Sequence, residues 1–370
     1  MRVRRLVKWI SLVLPLLLVT AFAIAWWRSD NECSGPARPA PSMPMRAVMH
    51  CDYGPPDVLT LSHVEKPVPL DTQLLVRVKA ASVNPVDWHS IRGTPYVMRL
   101  DSGLRKPADT RVGVDFAGVV EAVGRQVTRF KVGDEVFGGR NGALAEYIVV
   151  TADRAVAHKP ANVTFEQAAA VAVAGLTALQ AVRDRGQTRK GQRVLINGAS
   201  GGVGTFAVQI ARHLGADVTG VCSTRNVSLV RSLGADHVID YTKEDFTTRA
   251  GAYDVIVDNV GNRPLSACRR ALTPHGRYVL VGGGGPADGL VIGPLGRVAW
   301  MYVQALFVDQ SLGMFIAQLN RRDIEWFGEA MQTGAVTPVI DRRYPFAQAA
   351  EALRYLETGR ARGKVVVTME

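Results

Sequence analysis

Three textures of apolar and polar positions follow one another along the chain. From Trp9 to Trp27, nineteen consecutive residues carry no formal charge. A helix rising about 1.5 Å per residue would carry this run across roughly 28 Å, close to the ~30 Å hydrocarbon thickness of a bilayer. Arg2, Arg4, Arg5 and Lys8 precede the run, and Trp26 and Trp27 close it at the position of an interfacial belt. Pro15 lies mid-span, where membrane helices tolerate it. The pattern predicts an N-terminal transmembrane helix within residues 1–28 and a single-pass membrane localisation. A cleaved signal peptide is the alternative, because Ala21-Phe22-Ala23 and Ala23-Ile24-Ala25 offer small residues at cleavage spacing. Residues 29–44 are Pro-rich and read as a semi-rigid linker.

From about 45 to 165 the apolar runs are short, alternating and rich in β-branched residues, as in 74–83, 116–124 and 145–150. They predict the strands of an irregular β-rich domain. From 166 to 334 the texture becomes alternating βα units. Val194–Ile196, Val218–Val221, His237–Tyr241, Asp254–Asp258 and Arg277–Val281 read as buried strands. Val203, Ala207, Ile210, Ala211 and Leu214 recur at helical spacing before Gly215, and Asn226 is placed to N-cap a further helix ending at Gly234. Five strands with intervening helices predict a doubly wound parallel sheet. Residues 335–370 return to strand texture around a helix near 346–358, and are expected to rejoin the first domain.

The first predicted strand of the second domain runs into Asn197-Gly198-Ala199-Ser200-Gly201-Gly202-Val203-Gly204 and then a helix. Ala199-x-Gly201-x-x-Gly204 is a dinucleotide-binding pattern with alanine in the first place. Gly201 and Gly202 let the backbone approach a pyrophosphate, Gly204 lets helix and strand pack closely, and the helix start supplies N–H groups to the phosphates. An NAD site places Asp or Glu about 20 residues on, to bond the ribose 2′-hydroxyl. Here that position reads Val221-Cys222-Ser223-Thr224-Arg225. No acid is present, while Ser223, Thr224 and Arg225 suit a 2′-phosphate, so NADPH is the expected cofactor.

The chain has 370 residues and a formal net charge of +11. The basic residues are scattered and not interleaved with aromatics, so no nucleic-acid partner is expected. Cys33, Cys51, Cys222 and Cys268 include no Cys-x-x-Cys pair. Neither a cysteine-based zinc site nor a disulfide framework is expected.

A set of ordered segments resembles the medium-chain dehydrogenase/reductase superfamily, in its zinc-independent quinone oxidoreductase-like branch. They are Gly54-Pro55-Pro56-x-Val58-Leu59, Val83-Asn84-Pro85-Val86-Asp87, Gly113-Val114-Asp115-Phe116-Ala117-Gly118, Gly133-Asp134-Glu135-Val136, Ala143-x-Ala145-Glu146-Tyr147, Ala174-Gly175-Leu176-Thr177-Ala178, the glycine turn and Gly363-Lys364-Val365-Val366. The resemblance implies an α/β chain with a GroES-like domain (45–165 and 335–370) and a Rossmann domain (166–334), the cofactor lying between them. It implies that Thr177 borders the nicotinamide, that Tyr241 helps hold the adenosine phosphate, that Val281-Gly282-Gly283 runs under the cofactor and that Lys364 faces its phosphates.

Zinc-type relatives keep cysteine where this chain has Asn84 and Gly-His-Glu where it has Gly113-Val114-Asp115, so no metal ligand set is expected. Hydride transfer to an apolar, already electrophilic acceptor follows, a quinone or an α,β-unsaturated carbonyl. Asn84, His89 and Tyr96 are the candidate donors to the developing oxyanion. The family's habit implies a homodimer, and the predicted helix implies a membrane partner. An alcohol dehydrogenase-like enzyme and a non-catalytic NADPH-binding sensor or scaffold remain open as alternatives.

Overall fold

The computed structural model describes residues 40–282, 289 and 291–369, together with residues 13, 16–17, 19–24, 26–27, 31 and 33. Two sheets dominate it. The first domain begins with β1 (Pro44–His50) and β2 (Leu59–Glu65), an antiparallel pair. β3 (Gln73–Val83) follows, then the helix α1 (Pro85–Arg92), β4 (Asp115–Val123), β5 (Glu135–Gly139), β6 (Tyr147–Thr151) and β7 (Val156–His158). Leu74, Val76 and Val78 of β3 and Phe116 and Val120 of β4 pack in one core with Phe130 and Val136, while Ala81 and Val83 of β3 reach a second one.

The second domain opens with α2 (Ala172–Leu179) and continues through β8 (Arg193–Asn197), α3 (Gly202–His213), β9 (Asp217–Cys222), α4 (Val227–Ser232), β10 (His237–Asp240), β11 (Tyr253–Asp258), α5 (Leu265–Ala271), β12 (Leu272–Leu280), α6 (Leu295–Ala305), β13 (Ser311–Met314) and α7 (Arg321–Gln332). Its strands lie in the order β10-β9-β8-β11-β12-β13, all parallel. This is the strand order of a Rossmann sheet, and the order reverses between β8 and β11. Val194, Leu195, Ile196, Val255, Ile256 and Val257 are fully buried because helices cover both faces. The sixth strand, β13, lies beyond the five that the pattern predicts. It is four residues long, contains Gly313 and runs along the sheet edge.

The chain then returns. β14 (Ile340–Pro345), α8 (Ala349–Glu357) and β15 (Lys364–Thr368) complete it. β15 pairs antiparallel with β3, matching Val365 to Val83, and β14 pairs with β15. This return carries Gly363 to the glycine turn, where it forms an isolated parallel bridge with Gly201. The two sheets therefore touch through backbone at the expected pyrophosphate position.

Two expectations are corrected. Among the described residues no helix is long and apolar enough to cross a membrane. The N-terminal transmembrane helix and the single-pass localisation are therefore withdrawn, and with them the expected membrane partner. Arg2, Arg4, Arg5, Lys8, the rest of the span and most of the 29–44 linker lie outside the described residues, as does Gly283. Secondly, Cys33 and Cys51 form a disulfide with Cα atoms 5.7 Å apart, within the usual range for such a bond. The Asn31 side chain adds a hydrogen bond to the Cys51 carbonyl at 2.8 Å. A spacing of 18 residues with no motif around it gave no sign of this pairing.

Candidate active site

A cleft of about 900 Å³ runs between the two domains. Its floor is the turn that joins β8 to α3. Gly198 has a φ of 76°, which favours glycine. Gly204 has no alternative either, since a Cβ there would sit 2.1 Å from the Gly198 carbonyl oxygen. Gly201, by contrast, has an extended backbone, and a Cβ on it would come no closer than 3.5 Å to its nearest neighbour. Its lack of a side chain leaves room in the cleft rather than inside the fold. α3 starts at Gly202, so its free N–H groups and positive end face that room.

Ser200, Gly201, Gly202, Val203, Gly204, Ser223, Thr224, Arg225, Tyr241, Asn84 and Lys364 all line the cleft. Four other expected residues lie nearby without lining it. Ala199 is buried beneath the turn, and its N–H donates to the Val221 carbonyl. Thr177 turns its hydroxyl back to the Val173 carbonyl at 2.6 Å. Gly282 follows β12 where a Cβ would lie 2.5 Å from the Asn259 carbonyl oxygen. His89 stacks on Trp88, with ring centroids 3.6 Å apart. Tyr96, the fifth, is exposed and packs on the Arg99 guanidinium at 4.5 Å.

The open end of the cleft is cationic. Arg225 donates to the Arg360 carbonyl at 2.9 Å, and Arg362 donates back to the Arg225 carbonyl at 3.4 Å. Arg360 also lines the cleft, arriving on the loop between α8 and β15. The sequence pattern missed it because that loop belongs to the other end of the chain. Asn226 was expected to cap α4, but its amide instead donates to the Ser200 hydroxyl at 2.8 Å. It ties the end of β9 to the glycine turn, and its Oδ1 is buried without a partner beside the cleft. Asp240 accepts from the Thr224 hydroxyl at 2.6 Å and from Thr242, which holds its carboxyl down at about 2. The acid closest to the ribose end is thereby spent on fixing Thr224. Burial pushes the Cys222 thiol up to about 11, so this cleft-lining cysteine stays protonated near neutral pH.

The inner end is built differently. Pro85 pre-sets the first turn of α1, and Asn84 precedes it with an extended backbone. The Asn84 N–H donates to Asp87 Oδ2 at 2.6 Å. Its side-chain amide donates to Asp115 Oδ2 at 3.0 Å, and its Oδ1 accepts from the Lys364 ammonium. Burial pushes the Asp87 carboxyl up to about 7, against the Asn84 N–H bond, with the Asp115 charge pushing the same way. The His89 Nδ1 donates to the Thr94 carbonyl at 2.7 Å, and burial lowers its pKa. The ring is therefore neutral at ordinary pH, and its Nε2 is an acceptor rather than a proton donor.

Comparison with known proteins agrees with this geometry. Residues 70–161 match the alcohol dehydrogenase GroES-like domain and residues 233–367 match the zinc-binding dehydrogenase family. The chain is 35% identical to 2-methylene-furan-3-one reductase of Solanum lycopersicum, covering 96% of this chain and 86% of that protein. It is 36% identical to the chloroplastic NADPH-dependent alkenal/one oxidoreductase of Arabidopsis thaliana, covering 87% and 79% respectively. Among solved structures, the quinone oxidoreductase from Coxiella burnetii superposes with a TM-score of 0.76 at 30% identity, covering 88% of this chain and all of that one. A mycobacterial protein solved in complex with NADPH gives 0.72 at 28% identity, with the same coverage. The chain belongs to the medium-chain dehydrogenase/reductase superfamily, in its quinone oxidoreductase-like branch. It is an NAD(P)H-dependent oxidoreductase.

Two outcomes follow from the geometry. Gly201→Val is expected to fold with near-native thermal stability, because the apo backbone accepts a Cβ, yet to lose nicotinamide nucleotide binding in a fluorescence titration. Asp87 binds a proton in the folded state that the unfolded chain has released, between about pH 4 and pH 7, so it makes stability fall as pH rises through that window. Asp87→Asn removes this slope. Relative to wild type it should gain roughly 2–4 kcal/mol between those limits, read from denaturant midpoints at several pH values.

Proposed function

We propose that the protein is an NADPH-dependent reductase that delivers hydride to a quinone or an α,β-unsaturated carbonyl without a zinc ion. The observation that carries the reading is the pairing of a bare glycine turn with a cationic open end. Gly202–Gly204, the first residues of α3, offer backbone N–H groups toward the place a pyrophosphate would take, and Arg225 and Arg360 line the end where a ribose 2′-phosphate would lie, with no acid at the end of β9. Guanidinium groups suit phosphate, and an acid would suit the free 2′-hydroxyl. The unpartnered Asn226 Oδ1 beside this end is a further acceptor that a nucleotide could satisfy.

The donor set at the inner end does not suit zinc. Asn84 is a neutral amide, and Asp115 already accepts from Ser82, Asn84, Lys364 and the Val173 N–H. A dication there would also sit against an ammonium. Among the described residues no group of three or more His, Cys, Asp or Glu side chains could hold a metal. A bound nicotinamide supplies the hydride itself. An acceptor that is already electrophilic then needs orientation and hydrogen bonds to its developing oxyanion rather than a Lewis acid. Of the three candidate donors, Asn84 alone lines the cleft, with its side-chain amide donating to Asp115. The relatives named for reduction of an exocyclic furanone, of alkenals and of quinones support this substrate class.

The reading includes a homodimer. β13 is the edge of the parallel sheet, and Leu306, Phe307 and Ile316 beside it are 80%, 80% and 84% exposed. An apolar, unpaired sheet edge is suited to pairing with a second copy.

NADPH oxidation with a panel of quinones and enones tests the assignment. Turnover that chelators do not affect is expected, whereas tight NADPH binding without turnover across the panel would leave a binding protein instead. Arg225→Glu should weaken NADPH at least tenfold more than NADH, since it sets a carboxylate against the 2′-phosphate. Equal loss for both nucleotides would refute the cofactor choice.

A further inference from the structure

Lys364 begins β15 at the inner end of the cleft and is only 2% exposed. Its stem passes over the glycine turn, so that a Cβ on Gly202 would lie 3.3 Å from Lys364 Cδ. The ammonium then turns away from the turn. It donates to Asn84 Oδ1, to Asp115 Oδ2 at 3.2 Å and to the Val83 carbonyl at 3.4 Å. An ammonium has three protons, and all three have protein acceptors here. None is left for a phosphate.

Asp115 is fully buried and gathers four elements. Its Oδ2 accepts from Ser82 on β3 at 2.8 Å, from Asn84 before α1 and from Lys364 on β15. Its Oδ1 accepts at 2.8 Å from the Val173 N–H, in the first turn of α2 on the other domain. Val83, Asn84, Val173 and Lys364 all line the cleft. This carboxylate therefore fixes the wall against which the reacting end of the cofactor would lie. Left without a counter-charge, it would set a buried negative charge beside a polyanionic dinucleotide and a developing oxyanion.

We propose that Lys364 is a positioning residue: its ammonium is the fixed counter-charge of Asp115, holding Asn84 and the start of α2 in place, and is not a ligand of the cofactor phosphates. The proposal rests on the NADPH reading of the cleft. A direct phosphate ligand and a counter-charge predict opposite behaviour when the carboxylate is removed as well.

The test compares wild type, Lys364→Met and Lys364→Met/Asp115→Asn. NADPH affinity is measured by fluorescence titration, and kcat with a quinone or enone at saturating NADPH. Lys364→Met should weaken NADPH at least tenfold and lower kcat at least tenfold. The double variant should recover both to within about threefold of wild type, because its wall is neutral again. A double variant that binds as poorly as Lys364→Met overturns the proposal in favour of a phosphate contact. So does a Lys364→Met enzyme with unchanged kcat at saturation. If Lys364→Met is too unstable to purify, the double variant decides alone: near-wild-type affinity supports the proposal, and a tenfold loss overturns it. A wild type that binds NADPH and turns over, beside a double variant that shows no recovery, removes this inference only. Wild type that binds no nucleotide, or turns over no acceptor, removes the functional reading and this inference with it.

Discussion

The junction of the two sheets is set by how closely backbone can approach backbone. Gly204 lies against the Gly198 carbonyl, and Gly201 bridges Gly363, the residue just before β15 of the other sheet. These contacts bring the start of α3, the end of β3 and the start of β15 to one place. A side chain inside the turn would separate helix from strand, and the cleft would lose its floor. The chemistry of the protein depends on that proximity more than on any single reactive side chain.

Charge is then distributed unevenly along the cleft. The open end holds Arg225 and Arg360 over Thr224, which Asp240 keeps in place. The inner end pairs the buried Lys364 ammonium with the Asp115 carboxylate behind the wall. On the proposed reading, such an arrangement draws the phosphorylated part of a dinucleotide to one end and pairs off the charge behind the reacting ring at the other. Buried Cys222 and the neutral His89 ring fit the same scheme, since neither adds charge to the interior.

The periodic parts of this fold are legible in the sequence. Buried β-branched triplets between helical stretches announce β8 to β12, and the glycine spacing announces the turn. β13 escaped because four residues with a central glycine carry no period. The hub around Asp115 escaped for another reason. Lys364 and Asn84 are 280 residues apart; the return of residues 335–370 to the first domain was expected, but not that β15 would lie beside β3 and turn Lys364 onto Asn84. Arg360 was hidden in the same way. Asn226 shows the limit of local rules: its position suits a helix cap, yet the nearby Ser200 hydroxyl claims its amide. The apolar run at the start of the chain gives a strong hydropathy signal, yet among the described residues no helix is long and apolar enough to cross a membrane.

The covalent link between Cys33 and Cys51 carries a practical consequence for handling the enzyme. Such bonds persist where the surroundings oxidise thiols and are lost where glutathione and thioredoxin keep them reduced. Material expressed in a reducing cytoplasm starts out with two free sulfhydryls beside β1, and the segment around residue 33 then loses its covalent tie to the end of that strand. Preparations from differing hosts are thus distinct covalent species, and their oxidation state belongs beside every activity measured on them.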